Sequence, residues 1–211
     1  MIATFQDTTS KIKPIETIYN GYRFRSRLEA KWAVYFDAIG LKYEYEKDGF
    51  DLGSDDEQTF GCYLPDFYFP SLKTYCEIKP NQSDPSDVWV IHQHRVSERF
   101  RTVVDSPILL LFGYPWDYDG WWYGWDITDS SAGEGCFRVA LLEHSKEVVL
   151  IIDDRRESRS FGLNCLFESS PHICNLYPHA NESIENIKSH MARSKLALKS
   201  KQARFEHGES P

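Results

Sequence analysis

Asp66 follows a proline inside Tyr63-Leu64-Pro65-Asp66-Phe67, and the next apolar run carries Glu77-Ile78-Lys79. A Pro-Asp pair closing one strand, with a Glu-x-Lys in the strand after it, brings two carboxylates and a lysine to the rim of a β-hairpin. That trio suits one chemistry above others, which is holding a divalent cation that activates water against a phosphodiester. The tripeptide alone carries little information. A chain of this length holds roughly one Glu-x-Lys by chance, and this one holds a second, Glu29-Ala30-Lys31. Only the elements around each tripeptide separate the two.

Residues 60–69 and 74–79 are aromatic, β-branched and apolar, with Pro70-Ser71 as a turn signal between them. In the second run Tyr75, Glu77 and Lys79 alternate with Cys76 and Ile78. A period of two places Glu77 and Lys79 on one face and Ile78 in the opposite layer. Glu29-Ala30-Lys31 sits in a helical pattern instead, with Leu28, Trp32, Tyr35, Phe36 and Ile39 at three- and four-residue spacing. Ser26 suits the cap of that helix, Glu29 its capping box and Gly40 its end.

The spacing predicts a helix over 26–39, strands over 41–46, 61–69 and 74–79, a helix over 86–104 and a strand over 107–112. The last is Pro107-Ile108-Leu109-Leu110-Leu111-Phe112, a continuous apolar run as a buried strand requires. Residues 48–58 are acidic and contain Gly49 and Gly53, which predicts a solvated loop. Further on, 137–143 and 147–152 read as a strand pair that extends the sheet or forms a small second one. Residues 163–178 read as irregular, and 182–206 as the last helix.

This α-β-β-β-α-β order, with these residues in these places, resembles the PD-(D/E)XK nuclease superfamily, the restriction-endonuclease-like fold. The likeness covers residues 17–113 and rests on three pieces. They are the helix segment Phe24-Arg25-Ser26-Arg27-Leu28-Glu29-Ala30-Lys31-Trp32, the Tyr-Leu-Pro-Asp-Phe run, and Glu77-Ile78-Lys79-Pro80. The closing Ala203-Arg204-Phe205-Glu206-His207-Gly208-Glu209 is similar to the tail of small phage and bacterial members. The resemblance implies an α/β fold, with a mixed central sheet flanked by helices and a C-terminal elaboration. The chain then reads as one domain over 1–211: a core over 17–113, a β-rich and irregular elaboration over 114–180, and a basic helix over 181–206. By position, the resemblance makes Glu29, Asp66, Glu77 and Lys79 the catalytic set. It implies Mg²⁺ or Mn²⁺ held by Asp66, Glu77 and the Ile78 carbonyl, with Glu29 on the outer waters or a second ion. Lys79 would orient the attacking water or neutralise developing charge, and DNA would be the substrate.

Composition agrees with a folded enzyme-sized domain. At 211 residues, 41% hydrophobic and 15% aromatic, the chain can bury one good core and is not disordered. No apolar run reaches membrane-spanning length, and residues 1–15 lack the basic-then-apolar order of a secretion signal. Five cysteines with no Cys-x-x-Cys favour a reducing compartment over a disulfide framework. The expectation is a cytoplasmic protein with no membrane partner, a homodimer being open.

The net charge of −8 argues against indiscriminate affinity for nucleic acid, but the charge is uneven. Residues 44–66 hold eight acids and one lysine, whereas 186–205 hold six Lys or Arg and no acid. Lys195, Lys199 and Lys201 in the second stretch, with Arg23, Arg25 and Arg27 beside Glu29, are the candidates for phosphate contacts. The same C-terminal charges equally fit the wet side of an amphipathic helix. Asn181 would cap it, and Ile184, Ile187, Met191 and Leu198 would form its buried stripe.

Every candidate has a structural reading as well. Glu29 fits a plain capping box, Asp66 a strand end, and Glu77 with Lys79 a surface ion pair. His92, Gln93, His94 and Arg95 fall on the helix after the Glu-x-Lys strand, as site-facing residues or as an exposed helix face. Cys165, His172, Cys174 and His179 are zinc-ligand types at a spacing that fits no standard module. Trp116, Trp121, Trp122, Tyr123 and Trp125 offer rings for unpaired bases or, more simply, for a core wall. Two rivals to a DNA nuclease stay open: a catalytically silent nucleic-acid- or protein-binding member of the fold, phage-borne, and an enzyme acting on RNA or branched junctions.

Overall fold

The computed structural model describes residues 14–56, 58–81, 88–125, 134–144, 147–153, 158–162 and 195–205. Asn20-Gly21 turns the chain between β1 (Thr17–Tyr19) and β2 (Tyr22–Phe24), with φ of 48° and 82°. Two consecutive positive φ values are what a two-residue hairpin turn needs, and Asn-Gly is the pair that reaches them most easily. Helix α1 (Arg27–Ile39) follows. Ser26 is extended and accepts the Glu29 N–H at 3.2 Å. At the other end Gly40 lies in the left-handed region and the Leu41 N–H bonds the Phe36 carbonyl at 2.8 Å, a Schellman stop.

The chain then runs through β3 (Glu44–Tyr45), β4 (Phe50–Asp51), β5 (Cys62–Tyr63), β6 (Phe67–Phe69) and β7 (Thr74–Lys79). After α2 (Val88–Val104) come β8 (Ile108–Tyr114), β9 (Asp117–Trp125), β10 (Glu134–His144), β11 (Glu147–Asp153), β12 (Ser158–Gly162) and α3 (Lys195–Gln202). Eight strands form one mixed sheet in the order β12-β11-β10-β9-β8-β7-β6-β3. Every neighbouring pair is antiparallel except β7 and β8. A parallel pair cannot be joined by a tight turn, so α2 serves as the crossover between them.

That crossover and α1 cover opposite faces of the sheet, and β8 shows it residue by residue. Leu109 and Leu111 join a core with Trp32, Phe36, Phe67 and Phe69 on the α1 side. Ile108, Leu110 and Phe112 join a second core with Val96 and Phe100 of α2. The uninterrupted apolar run is thus explained: each β8 side chain through Phe112 is buried, on alternating faces. At roughly 1.5–3 kcal/mol per fully buried large side chain, these two layers are the main source of stability.

Several boundaries differ from expectation for identifiable reasons. The strand expected over 61–69 is two strands in different sheets, because Pro65 has no N–H to give a ladder. β5 pairs with β4 in a small separate sheet, so the acidic 48–58 segment is not simply a solvated loop, and its Leu52 is buried. The strand expected over 41–46 contracts to β3. The Trp-rich segment is an ordinary sheet strand, β9, and the 137–143 and 147–152 pair extends the sheet as β10 and β11. In the last helix 195–202 is helical and 203–205 is not. Its buried residues are Ala197 and Ser200, while Leu198 is 37% exposed, so the expected stripe is displaced. Asn181, Ile184, Ile187, Met191 and the set Cys165, His172, Cys174 and His179 lie outside the described residues.

Small residues let α3 lie close on α1, and Lys31 secures it. Its Nζ donates to the carbonyls of Ser200, at 2.8 Å, of Lys201, at 3.1 Å, and of Ala203, while Ser200 Oγ donates to the Lys31 carbonyl at 2.6 Å. A lysine thereby satisfies carbonyls that the C-terminus of α3 leaves free, and its charge favours that end of the helix. Lys31→Met removes these bonds. The expected loss is about 1–2 kcal/mol, low in the range for charged donors because the ammonium is partly wet. Urea denaturation measures it; an unchanged midpoint would mean that the Ser200 bond and the packing of Ala197 and Phe205 hold α3 without the ammonium.

Candidate functional site

β7 carries the site through its alternation. Tyr75 packs into the α2-side core while Cys76 and Ile78 pack into the α1-side core. Glu77 and Lys79 continue the Tyr75 row. In the antiparallel pairing of β6 with β7, Phe67 stands opposite Cys76. Continuing that register by one residue sets Asp66 opposite Glu77, and directly opposed residues share a face of the sheet. The turn at Pro70-Ser71 and the interruption at Pro65 therefore place the two carboxylates across from each other where β6 begins.

Both acids are 3% exposed. Asp66 Oδ2 accepts the Ile78 N–H at 2.7 Å, and Oδ1 accepts from Arg25 Nη2 at 2.8 Å. Glu77 Oε1 is ion-paired with Lys79 Nζ, whereas Glu77 Oε2 is buried with no hydrogen-bond partner. Beside it the Tyr63 hydroxyl is also buried without a partner in hydrogen-bonding geometry. Burial first, then the charges of Glu77 and Asp66, push that phenol well above its ordinary range.

Electrostatics tie these groups into one unit. Burial first, then the negative charges of Glu77 and Glu29, hold the Asp66 carboxyl well above the usual carboxylate range, against the pull of Lys79 and the Ile78 N–H. Burial would lower the Lys79 ammonium, but Glu77 and Asp66 outweigh it and raise it. Arg25 is likewise drawn down by burial and carried up by Asp66, Tyr45 and Glu46. Its Nε lies 2.5 Å from Glu46 Oε1, an ion pair without hydrogen-bond alignment.

Glu29 stands at the edge of this group with its oxygens engaged. Oε1 accepts from Ser26 Oγ at 2.6 Å, and Oε2 accepts from Tyr45 Oη at 2.5 Å and the Arg25 N–H at 3.1 Å. The capping reading of Glu29 therefore describes its contacts, while its charge still reaches Asp66. Among the described residues, no three Asp, Glu, His or Cys side chains are disposed to share an ion. Arg25, Lys79, Tyr45 and Ser26 occupy oxygens of these acids. The donor set itself consists of hard carboxylate oxygens, one of them buried and unpartnered, which suits Mg²⁺ or Mn²⁺ better than a soft ion.

The remaining candidates separate cleanly. Arg23 pairs with the exposed Glu16 at 3.4 Å, and Arg27 is exposed, so neither touches the acids. Lys195, Lys199 and Lys201 are exposed on α3, the last with its ammonium 5.8 Å from the Trp116 ring centre. His92 is exposed and His94 faces Tyr123, Trp121 and Phe112 rather than the acids. Trp116 stacks on Tyr114 at 4.7 Å and Trp121 packs edge-on against His94, as walls of the fold.

Two residues hold places at the site that sequence reasoning does not give them. Tyr63 is part of the Tyr-Leu-Pro-Asp run, and its signal is position: the residue before a broken strand, three before the aspartate. Arg25 reads from the sequence as a phosphate contact, and nothing there pairs it with an acid 41 residues away.

Comparison of the chain with family models, with curated proteins and with solved structures yields no match. The interpretation of the site rests on its own geometry.

Burial lowers the His94 imidazole below its ordinary value. The neutral ring then contributes stability that is present above the unfolded value of about 6.5 and lost as pH falls through the folded one. Relative to His94→Gln, the wild type should lose stability as pH falls below about 6.5, read as a larger drop in the urea midpoint. Parallel midpoints across that window would show that His94 takes up its proton without cost.

Proposed function

We propose that this chain is a metal-dependent nuclease of the PD-(D/E)XK type acting on DNA. The observation that carries the reading is the pair Asp66, just before β6, and Glu77 on β7, both buried, the charge of Glu77 raising the cost of ionising Asp66, with Lys79 two residues on. The topology supports it. α1, the antiparallel run β3-β6-β7, the crossover α2 and the parallel β8 follow the α-β-β-β-α-β order that this fold requires, with β9 to β12 as the elaboration.

Asp66, Glu77 and the Ile78 carbonyl would hold the cation, with Glu29 behind them. The bound ion would supply Lewis acidity toward a phosphate oxygen and a water acidic enough to attack at neutral pH. The rest falls to the protein. The Ile78 N–H fixes the Asp66 carboxylate, and Lys79, kept cationic by its two acidic neighbours, orients the water or offsets charge developing on the phosphate. Among the described residues no helix is long and apolar enough to cross a membrane.

A second reading, a binding member that does not cleave, is favoured by one observation: both carboxylates are already paired with bases. Cleavage assays on linear, circular, single-stranded and branched DNA, and on RNA, with Mg²⁺ or Mn²⁺ separate the two. Asp66→Asn and Glu77→Gln should each abolish metal-dependent cleavage, at least about a hundredfold, and Lys79→Met should reduce it similarly. Asparagine at 66 keeps an acceptor for the Ile78 N–H, so the fold survives, as circular dichroism would show. Cleavage at wild-type rate by folded Asp66→Asn protein would sink the assignment. Lys31→Met, in the other Glu-x-Lys, should keep its activity.

The exposed lysines of α3 supply phosphate contacts in this reading. Changing Lys195, Lys199 and Lys201 together to Gln should flatten the log-affinity against log-salt slope by about 0.9 for each duplex phosphate no longer neutralised. An unchanged slope in the folded triple variant would make α3 a strut rather than a contact surface.

A further inference from the structure

Among the described residues, Arg25 is the base at the site best placed to leave it. Its side chain is 54% exposed, whereas its partner Asp66 is 4% exposed and cannot follow it into water. The guanidinium bridges two acids, Asp66 by Nη2 and Glu46 by Nε. Its backbone N–H is fixed independently by Glu29 and by the Tyr45 hydroxyl at 2.9 Å. The residue can therefore change its side-chain partner without moving the start of α1.

Three acids crowd this point, and the bases on Asp66 and Glu77 are Arg25 and Lys79. Lys79 is more deeply placed, with 24% of its side chain exposed, and Glu77 keeps a second oxygen, Oε2, buried and unpartnered. A cation at Glu77 Oε2 would break no hydrogen bond at that oxygen. It could not take Asp66 Oδ1 until Arg25 let go.

We propose that Arg25 is an exchangeable counter-ion: it neutralises Asp66 at rest, yields that oxygen to the divalent cation, and then takes a phosphate of the bound strand. This rests on the metal-dependent reading above and adds to it the residue that couples cation entry to substrate contact. No covalent bond is made or broken. The incoming divalent cation takes the place of one guanidinium charge at Asp66, and the freed guanidinium, still beside Glu46, meets a phosphodiester that it can grip with two parallel N–H bonds. An arginine suits both partners because carboxylate and phosphate present the same fork of oxygens.

The two halves predict opposite effects of one substitution. Arg25→Gln removes the competitor for Asp66, so Mn²⁺ binding measured by calorimetry at about pH 8 should tighten about tenfold, a usual size for coupled equilibria. The same variant gives up the phosphate contact, so binding of a labelled short duplex in Ca²⁺, followed by fluorescence anisotropy, should weaken about tenfold. Arg25→Lys keeps the charge with a single point of contact and should fall between wild type and Arg25→Gln in both assays. It also serves as the test if Arg25→Gln fails to melt cooperatively. Mn²⁺ binding that is present but unchanged or weaker in both variants overturns the exchange while leaving the metal centre standing. Unchanged duplex affinity overturns the phosphate contact. Absence of Mn²⁺ binding in wild type and variants alike overturns the metal centre, and the exchange with it.

Discussion

Two carboxylates opposed on neighbouring strands, with almost no water to share, repel each other and resist charging. Much of the surrounding detail offsets that one conflict. The Ile78 N–H is given to Asp66, the Lys79 ammonium to Glu77, and a guanidinium reaches in from the segment before α1. Glu29 is pinned by Ser26 and Tyr45, so its charge stays at a fixed distance instead of adding to the crowding freely. A surface pair of acids would need none of this. Burial without such partners would penalise the charged form further.

The sheet makes the conflict unavoidable. Because β7 and β8 run parallel, both faces of this part of the sheet must be covered, one by α1 and the other by α2. The row Tyr75, Glu77, Lys79 consequently starts under the α2-side core and emerges only at its far end, which is why Lys79 is wetter than Glu77. Apolar residues at 77 and 79 would pack with less strain. Buried charge at such positions is the pattern expected of a site kept for function at the expense of stability.

What is legible in the sequence follows from local rules. Period two in β7, the capping box and Schellman glycine of α1, and the apolar run of β8 are each set by neighbours within a few residues, and each emerges where expected. What is not legible depends on distant partners. The strand over 61–69 has the right residues throughout, but Pro65 divides it and β4 captures its first half. The Trp-rich segment reads from the sequence as rings for unpaired bases or a core wall, and its neighbours β8 and β10 are what hold it as a strand. The Asn20-Gly21 hairpin is a plain local signal, although the helix that follows it dominates the pattern there. The Arg25 to Asp66 bond has no signal at all, since an ion pair across the fold leaves no periodicity.

The two Glu-x-Lys tripeptides show how far context outweighs pattern. In β7 the outer residues lie on one face, so Glu77 and Lys79 meet and form an ion pair. In α1 the same spacing turns the second residue about 200° from the first, so Glu29 and Lys31 point apart. Glu29 faces the acid group, whereas Lys31 faces α3 and caps its carbonyls. One short stretch of helix thus touches both the site and the C-terminal helix. α1 is anchored at its start by Ser26, Glu29 and Tyr45 and along its side by Lys31 and Ser200. The two sets of contacts lie on different sides of α1, so the end that presents Arg25 and Glu29 to Asp66 is held by Ser26 and Tyr45, while Lys31 and Ser200 hold α3.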